Sequence, residues 1–298
     1  MEQEQNFLSS CHPVTGFTWY VLVVICSVML QHPVYMILTL VAAILNYLTL
    51  TGKDGSKLIL GMIPLFLFLS CINPVFNTYG ERILFTYFGR PYTLEALLYG
   101  IVIAAMFLSV LLLFFGSSKV LSSDRFISLF GKMIPSLSLL LVMVLRLLPS
   151  YKRKAEQISR ARDCIGKGIS GNATYREKAE NGLIVLGALT GWALESSVVT
   201  ADSMRSRGFG STDRTSFQLY RFRMKDGLCM AAFLITFAGT IAGMISGAAK
   251  AVYTPQMEIA AIHGLSVIPL AAYGILLFTP ILLHYLEELK WHILRSGI

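Results

Sequence analysis

Six apolar runs, at 17–31, 33–50, 57–72, 93–116, 227–249 and 265–286, are nearly free of charge and set the first limit on what this chain can fold into. A bilayer core of about 30 Å takes about 20 apolar residues per helical crossing. The last three runs reach that length and the first three fall a little short of it. Gln31-His32-Pro33 and Thr51-Gly52-Lys53-Asp54-Gly55 separate the short ones and read as turns. Composition agrees. Of 298 residues, 55% are hydrophobic and only 14% charged, against about 25% charged in a soluble domain, and the mean hydropathy is +0.64. The expected fold is an all-α polytopic membrane protein with about six transmembrane helices. Five scattered cysteines without a CxxC give no disulfide or metal framework, and the five histidines form no ligand cluster. Glu2 and Glu4 stand where a signal peptide would carry basic residues, so no cleavable signal is expected.

The charge that the runs lack is concentrated elsewhere. Between Lys119 and Asp226 lie 18 of the 25 Lys and Arg residues, against nine acids, in a chain whose net charge is +8. The positive-inside tendency assigns such a segment to the cytoplasm. With six spans and both termini inside, Lys53 and Lys57 also fall inside, while 73–92 and 250–264 fall outside. Three regions follow: an N-terminal transmembrane region 1–116 with about four spans, a basic cytoplasmic region 117–225, and a C-terminal transmembrane region 226–298 with two. More than a hundred residues exceed what a connector needs, so the middle region is read as a docking domain.

Two helices are expected within it. Residues 134–149 are apolar but interrupted by Arg146, and 150–165 are basic with strong helix formers. Residues 182–201 are apolar around Glu195 and run into Ala201-Asp202-Ser203-Met204-Arg205-Ser206-Arg207-Gly208. Hydropathy alone allows both apolar stretches to span. The preferred arrangement packs them on each other beneath the membrane, with Arg146 and Glu195 as buried opposite charges that either pair or reach water. Asp202 lies one helical turn before Arg205, either orienting it or forming a surface pair. Gly239, Gly243 and Gly247 form GxxxGxxxG in an apolar helix, a smooth stripe for another helix of this chain or of a partner. Gly187 and Gly191 repeat the pattern once. Residues 211–225, with their arginines and aromatics, are read as a lipid-facing belt beside a span rather than a nucleic-acid site.

Several chemistries are missing. Gly166-Lys167-Gly168 lacks the upstream glycine and Ser/Thr of a P-loop, and GxSxG and HExxH are absent. Asp124, Asp163 and Asp213 have no metal-binding spacing. The nearly uncharged spans carry no carboxylate relay for a secondary carrier, although a self-sufficient carrier or channel is the alternative reading. No cofactor is expected, and no catalytic residue or metal ligand.

Taken in order, further pieces resemble the transmembrane T component of energy-coupling factor transporters, the EcfT/CbiQ family. They are His32-Pro33; Asn73-Pro74-Val75-Phe76-Asn77 with Gly80; Arg90-Pro91-Tyr92-Thr93-Leu94-Glu95-Ala96; Val144-Leu145-Arg146-Leu147-Leu148-Pro149; Ile158-Ser159-Arg160-Ala161-Arg162; and Ala193-Leu194-Glu195 leading to Thr200 through Gly210. The resemblance covers nearly the whole chain. It implies two long coupling helices, each ending in an Ala-Arg-Gly-like motif that docks on one of two ABC ATPase subunits. It also implies a separate substrate-binding S component held by the spans and those helices. Ser206-Arg207-Gly208 matches the second motif, with Ser for Ala and Arg205 beside it. Ala161-Arg162-Asp163 matches the first, with Asp in the glycine position; Arg160 and Arg162 both stand at that end, and Gly166 is a candidate helix stop. The implied role is a non-catalytic scaffold and coupling subunit of an ATP-driven importer of a micronutrient, set in the lipid bilayer of the cell membrane, with the ATPases doing the hydrolysis.

Overall fold

Two His-Pro pairs open the first two helices by the same device. Proline at the first helical position is pre-set for the helix and gives up an N–H that would have no partner there. The preceding histidine supplies an acceptor for the next N–H. His12 Nδ1 accepts from Val14 at 3.3 Å, starting helix α1 (Pro13–Met29), and His32 Nδ1 accepts from Val34 at 3.3 Å, starting helix α2 (Pro33–Thr51). Because Nδ1 is an acceptor, the neutral His32 ring carries its proton on Nε2, which donates to the Ala260 carbonyl at 3.0 Å.

The computed structural model describes residues 10–77, 80, 82–87, 90–130, 135–166, 174–209, 222–253, 258–260 and 264–296. After α2 come helix α3 (Lys53–Phe76), a two-stranded antiparallel hairpin of β1 (Ile83–Tyr87) and β2 (Arg90–Thr93), helix α4 (Leu94–Val120) and the short helix α5 (Ser123–Phe130). Helices α6 (Pro135–Cys164) and α7 (Tyr175–Ser206) follow, then α8 (Met224–Ile245), the two-residue strands β3 (Ala251–Val252) and β4 (Glu258–Ile259), and α9 (Val267–Ser296). The chain divides into two compact units, one of Met1–Phe126 with Tyr220–Ile298 and one of Ile127–Leu219.

In the first unit the helices before and after the middle segment share one core. Helix α4 packs on α2 and α3, α8 packs on α9 and α1, and α9 also reaches α2. Prolines set several of these contacts. A proline inside a helix leaves the carbonyl four residues earlier without its donor. Pro280 does this to Leu276, and the buried indole of Trp19 supplies the missing hydrogen bond, Nε1 to the Leu276 oxygen at 2.8 Å. Pro74 does it to Ser70, and α4 presses on that oxygen through Gly100, where an added Cβ would lie 2.6 Å from it. The Thr39 and Tyr273 hydroxyls share a buried hydrogen bond of 2.7 Å between α2 and α9. Large apolar side chains such as Leu60, Leu67, Phe68, Ile235 and Ile275 are exposed around this core, as a lipid-facing surface requires.

Among the described residues, six helical segments are long and apolar enough to cross a membrane: Pro33–Thr51, Asp54–Phe76, Leu94–Val120, Tyr175–Ser206, Met224–Ile245 and Gly264–Lys290. The number agrees with the sequence reading but one member differs. Helix α1, with 17 residues, falls just short, although it extends about 26 Å at 1.5 Å per residue. Helix α7 enters by length and composition. The chain is a multi-pass, all-α membrane protein.

Candidate functional site

The second unit is built around an antiparallel hairpin of α6 and α7. Helix α7 begins at a capping box in which the Thr174 backbone N–H donates to Glu177 Oε2 at 2.9 Å, covering donors the first turn leaves open. Each helix turns one stripe inward. On α6 the stripe is Leu147, Tyr151, Lys154, Ile158 and Arg162; on α7 it is Asn181, Val185, Leu189, Trp192 and Ser196. Spacings of three and four keep each set on one face. Two contacts fix the register. Tyr151 meets Trp192 edge to face, with ring centroids 5.4 Å apart, and Lys154 Nζ stands 5.7 Å from the Trp192 ring centroid. Nearer the turn, Arg162 Nη2 donates to Asn181 Oδ1 at 2.7 Å.

The two arginine-bearing ends terminate on glycine. At the end of α7, Gly208 adopts φ +78°. Its N–H donates to the Arg205 carbonyl at 2.9 Å, and that of Phe209 to Met204 at 3.0 Å. This is a Schellman closure, which a residue free to take positive φ makes possible. At the end of α6, Gly166 has φ +71° and its N–H donates to the Asp163 carbonyl at 3.0 Å. Gly166 is thus the helix stop, three residues beyond the Ala161-Arg162-Asp163 motif.

Around these ends the side chains differ. Arg160, Ala161, Arg205, Ser206, Arg207 and Gly208 are exposed, while Arg162 is half-buried against α7. Asp202 and Arg205 form no ion pair: among the described residues the pairs are Asp54–Lys57 and Arg176–Glu180. Asp202 acts instead through its backbone carbonyl, which accepts from Ser206 Oγ at 2.9 Å.

Three expectations need correction. Arg146 and Glu195 are neither buried nor paired; both are exposed. Each stands one position before a seam residue, Leu147 or Ser196, and so about 100° around its helix. A two-helix hairpin has one seam and encloses nothing else. Gly247 does not belong to a packing stripe. It closes α8 with φ +80°, and an added Cβ would meet nothing within 4 Å. Only Gly239 and Gly243 pack, both on α9: a Cβ at Gly239 would lie 3.3 Å from that of Ala272, and one at Gly243 would collide with the Pro269 ring. Gly187 and Gly191 face open space rather than α6.

Asn181 and Trp192 are absent from the sequence-derived site. Asn181 is 19 residues from the arginine it holds, so no local spacing connects them. The lipid-facing belt expected at 211–225 lies mostly outside the described residues. Among the described residues no group of three or more His, Cys, Asp or Glu side chains could hold a metal ion.

This arrangement, a helical membrane bundle whose chain is interrupted by a long two-helix hairpin with arginine-bearing ends, defines a polytopic membrane protein. Residues 4–217 match the family model CbiQ, described as cobalt transport protein, and the chain belongs to that family of membrane transport components. The match takes in α1 to α7. A comparison with curated proteins finds no match.

Proposed function

We propose that the chain is the non-catalytic scaffold and coupling subunit of an ATP-driven, energy-coupling-factor-type importer. The observation that carries this reading is the pair of glycine-closed arginine tips. Arg162 is pinned beside Asn181 at one end of the hairpin. Arg205 and Arg207 stand at the far end of α7, about 37 Å away at 1.5 Å per residue. Two separated tips suit two separate ATPase subunits. Each offers guanidinium forks that can bind acceptor groups in a groove bidentately.

In this mechanism ATP binding and hydrolysis on two partner ABC ATPases shift the hairpin as a stiff body. The shift reorients a small substrate-binding membrane protein and releases its cargo inward. The hairpin, both termini and Lys53 and Lys57 face the cytoplasm. The cargo is a micronutrient, of which the family description offers cobalt as the first to try.

The test is purification of the full chain from its native membrane in mild detergent, wild type beside an Arg162→Glu/Arg207→Glu variant. Mass spectrometry should find ABC ATPases and a small membrane protein with the wild type. The double variant should lose the ATPases while its melting temperature stays unchanged, and Arg207→Glu alone should abolish uptake. A wild-type chain that emerges alone and transports in proteoliposomes without ATP would overturn the reading in favour of a self-sufficient carrier.

A further inference from the structure

The geometry points to Asn181 as the positioning residue of the first docking tip, an inference that rests on the coupling-subunit reading above. A guanidinium is a planar fork with five N–H groups in fixed directions. Around Arg162 these groups are divided. Nε is enclosed without a hydrogen-bond partner, and Nη2 donates to Asn181 Oδ1 at 2.7 Å. Nε and Nη2 share one edge of the fork, so that edge is turned into the hairpin. Nη1 keeps both its N–H groups for an acceptor outside it. Asn181 therefore fixes both the rotamer and the plane of Arg162 before any partner arrives.

The other three arginines differ. Arg160, Arg205 and Arg207 are exposed and hold no side-chain partner among the described residues. Each must be ordered on docking, which costs side-chain entropy. The two tips are thus unequal: the first presents a pre-set fork, the second a mobile pair. The inequality falls at the tip whose motif carries Asp163 in place of glycine. There the helix ends at Cys164 with Gly166 beyond it, and the arginine, in the last turn, lies against the neighbouring helix. A carboxamide at 181 is the group that turns this placement to use.

The experiment titrates the full chain, in nanodiscs, with the ABC ATPases recovered beside wild type, identified by mass spectrometry and repurified. Asn181→Ala should weaken their binding about three- to tenfold, the scale of ordering one long side chain. Asn181→Asp keeps an acceptor and adds charge, so it should restore wild-type binding or exceed it. In an Arg162→Ala background, Asn181→Ala should weaken binding no further, because its effect passes through the arginine.

Additive losses in that background would overturn the inference, since general loosening of the hairpin would then be the cause. If wild type binds and Arg162→Glu does not, while Asn181→Ala binds as wild type, the positioning role falls and the docking reading stands. If wild type binds no ATPase, both fall.

Discussion

The indole N–H of Trp19 in α1 donates to the carbonyl of Leu276 in α9 at 2.8 Å, and that carbonyl lacks its helical donor because Pro280 has no N–H. The two sequence features therefore compensate each other. Trp19→Phe keeps a ring in the core but leaves a buried carbonyl without a partner, a loss of about 1–3 kcal/mol. In a Pro280→Ala background the backbone donor returns, so the same Trp19→Phe substitution should cost clearly less. Thermal unfolding of the four proteins in one detergent measures both costs. Equal costs in the two backgrounds would separate the tryptophan from the proline.

At the N-terminal end of α1, the buried Asp226 carboxylate accepts the backbone N–H of His12 at 3.0 Å and of Arg223 at 2.9 Å. Beside it Cys11 is buried, and burial first, then the Asp226 charge, push its thiol from 9.0 up to about 12. The folded protein should therefore keep Cys11 protonated at a pH where an ordinary thiol ionises, and Cys164, unlike Cys11, is exposed. The sign of the linkage follows: between about 9 and 12 the unfolded chain binds fewer protons than the folded one, so stability falls as pH rises through that window. Alkylation by a thiolate-selective reagent at pH about 9 should label Cys164 well before Cys11. Asp226→Asn removes the neighbouring charge and should narrow the gap. Equal labelling of both cysteines in the folded wild type would refute this.

The GxxxGxxxG stripe separates into two physical problems. At Gly243 the limit is space, since a Cβ meets the Pro269 ring; at Gly247 it is conformation, with φ +80° and open surroundings. Gly243→Ala should cost about 1–3 kcal/mol by overpacking α8 against α9, and Gly247→Ala about 1–2 kcal/mol for a side chain in the left-handed region. Asparagine tells them apart. It tolerates positive φ, so Gly247→Asn should recover much of the loss, whereas Gly243→Asn should be worse than alanine. Melting temperatures in detergent decide the order.

Hydropathy and turn residues made most of the bundle legible, because a membrane span must be apolar along its length and its breaks must be Gly, Pro or polar. His32-Pro33, Gly52 and Gly166 all act where the sequence reading put turns or stops. What periodicity left open was which way a long helix faces. Glu195 and Ser196 are adjacent in sequence, yet only Ser196 lies on the seam, and the choice is made by the register with α6. The same register joins Arg162 to Asn181. It is set by the Tyr151–Trp192 contact, which a single helix's pattern does not encode. Gly247 shows a related limit: its spacing copies Gly239 and Gly243, but the helix ends two residues before it.

Trp192 is the remaining determinant of that register. Its ring receives the edge of Tyr151 and the Lys154 ammonium midway along the hairpin. An aromatic pair is worth about 0.5–1.5 kcal/mol beyond its buried area, and a cation over an exposed ring about 0.5–1 kcal/mol. Trp192→Ala should therefore loosen the pairing of α6 and α7 by about 2–4 kcal/mol once the lost ring area is included. Hydrogen exchange along 147–162 and 181–196 should quicken by one to two orders of magnitude, while the first unit stays protected. If the hairpin moves as one stiff body, this variant should still bind both ATPases and leave their ATP hydrolysis intact, yet lose uptake, because the tips move without carrying the helices with them. Trp192→Phe, which keeps an aromatic edge-to-face partner for Tyr151, should retain most of the coupling. Unchanged uptake in Trp192→Ala, with exchange quickened as expected, would show that stiffness of the pair is not what transmits the stroke.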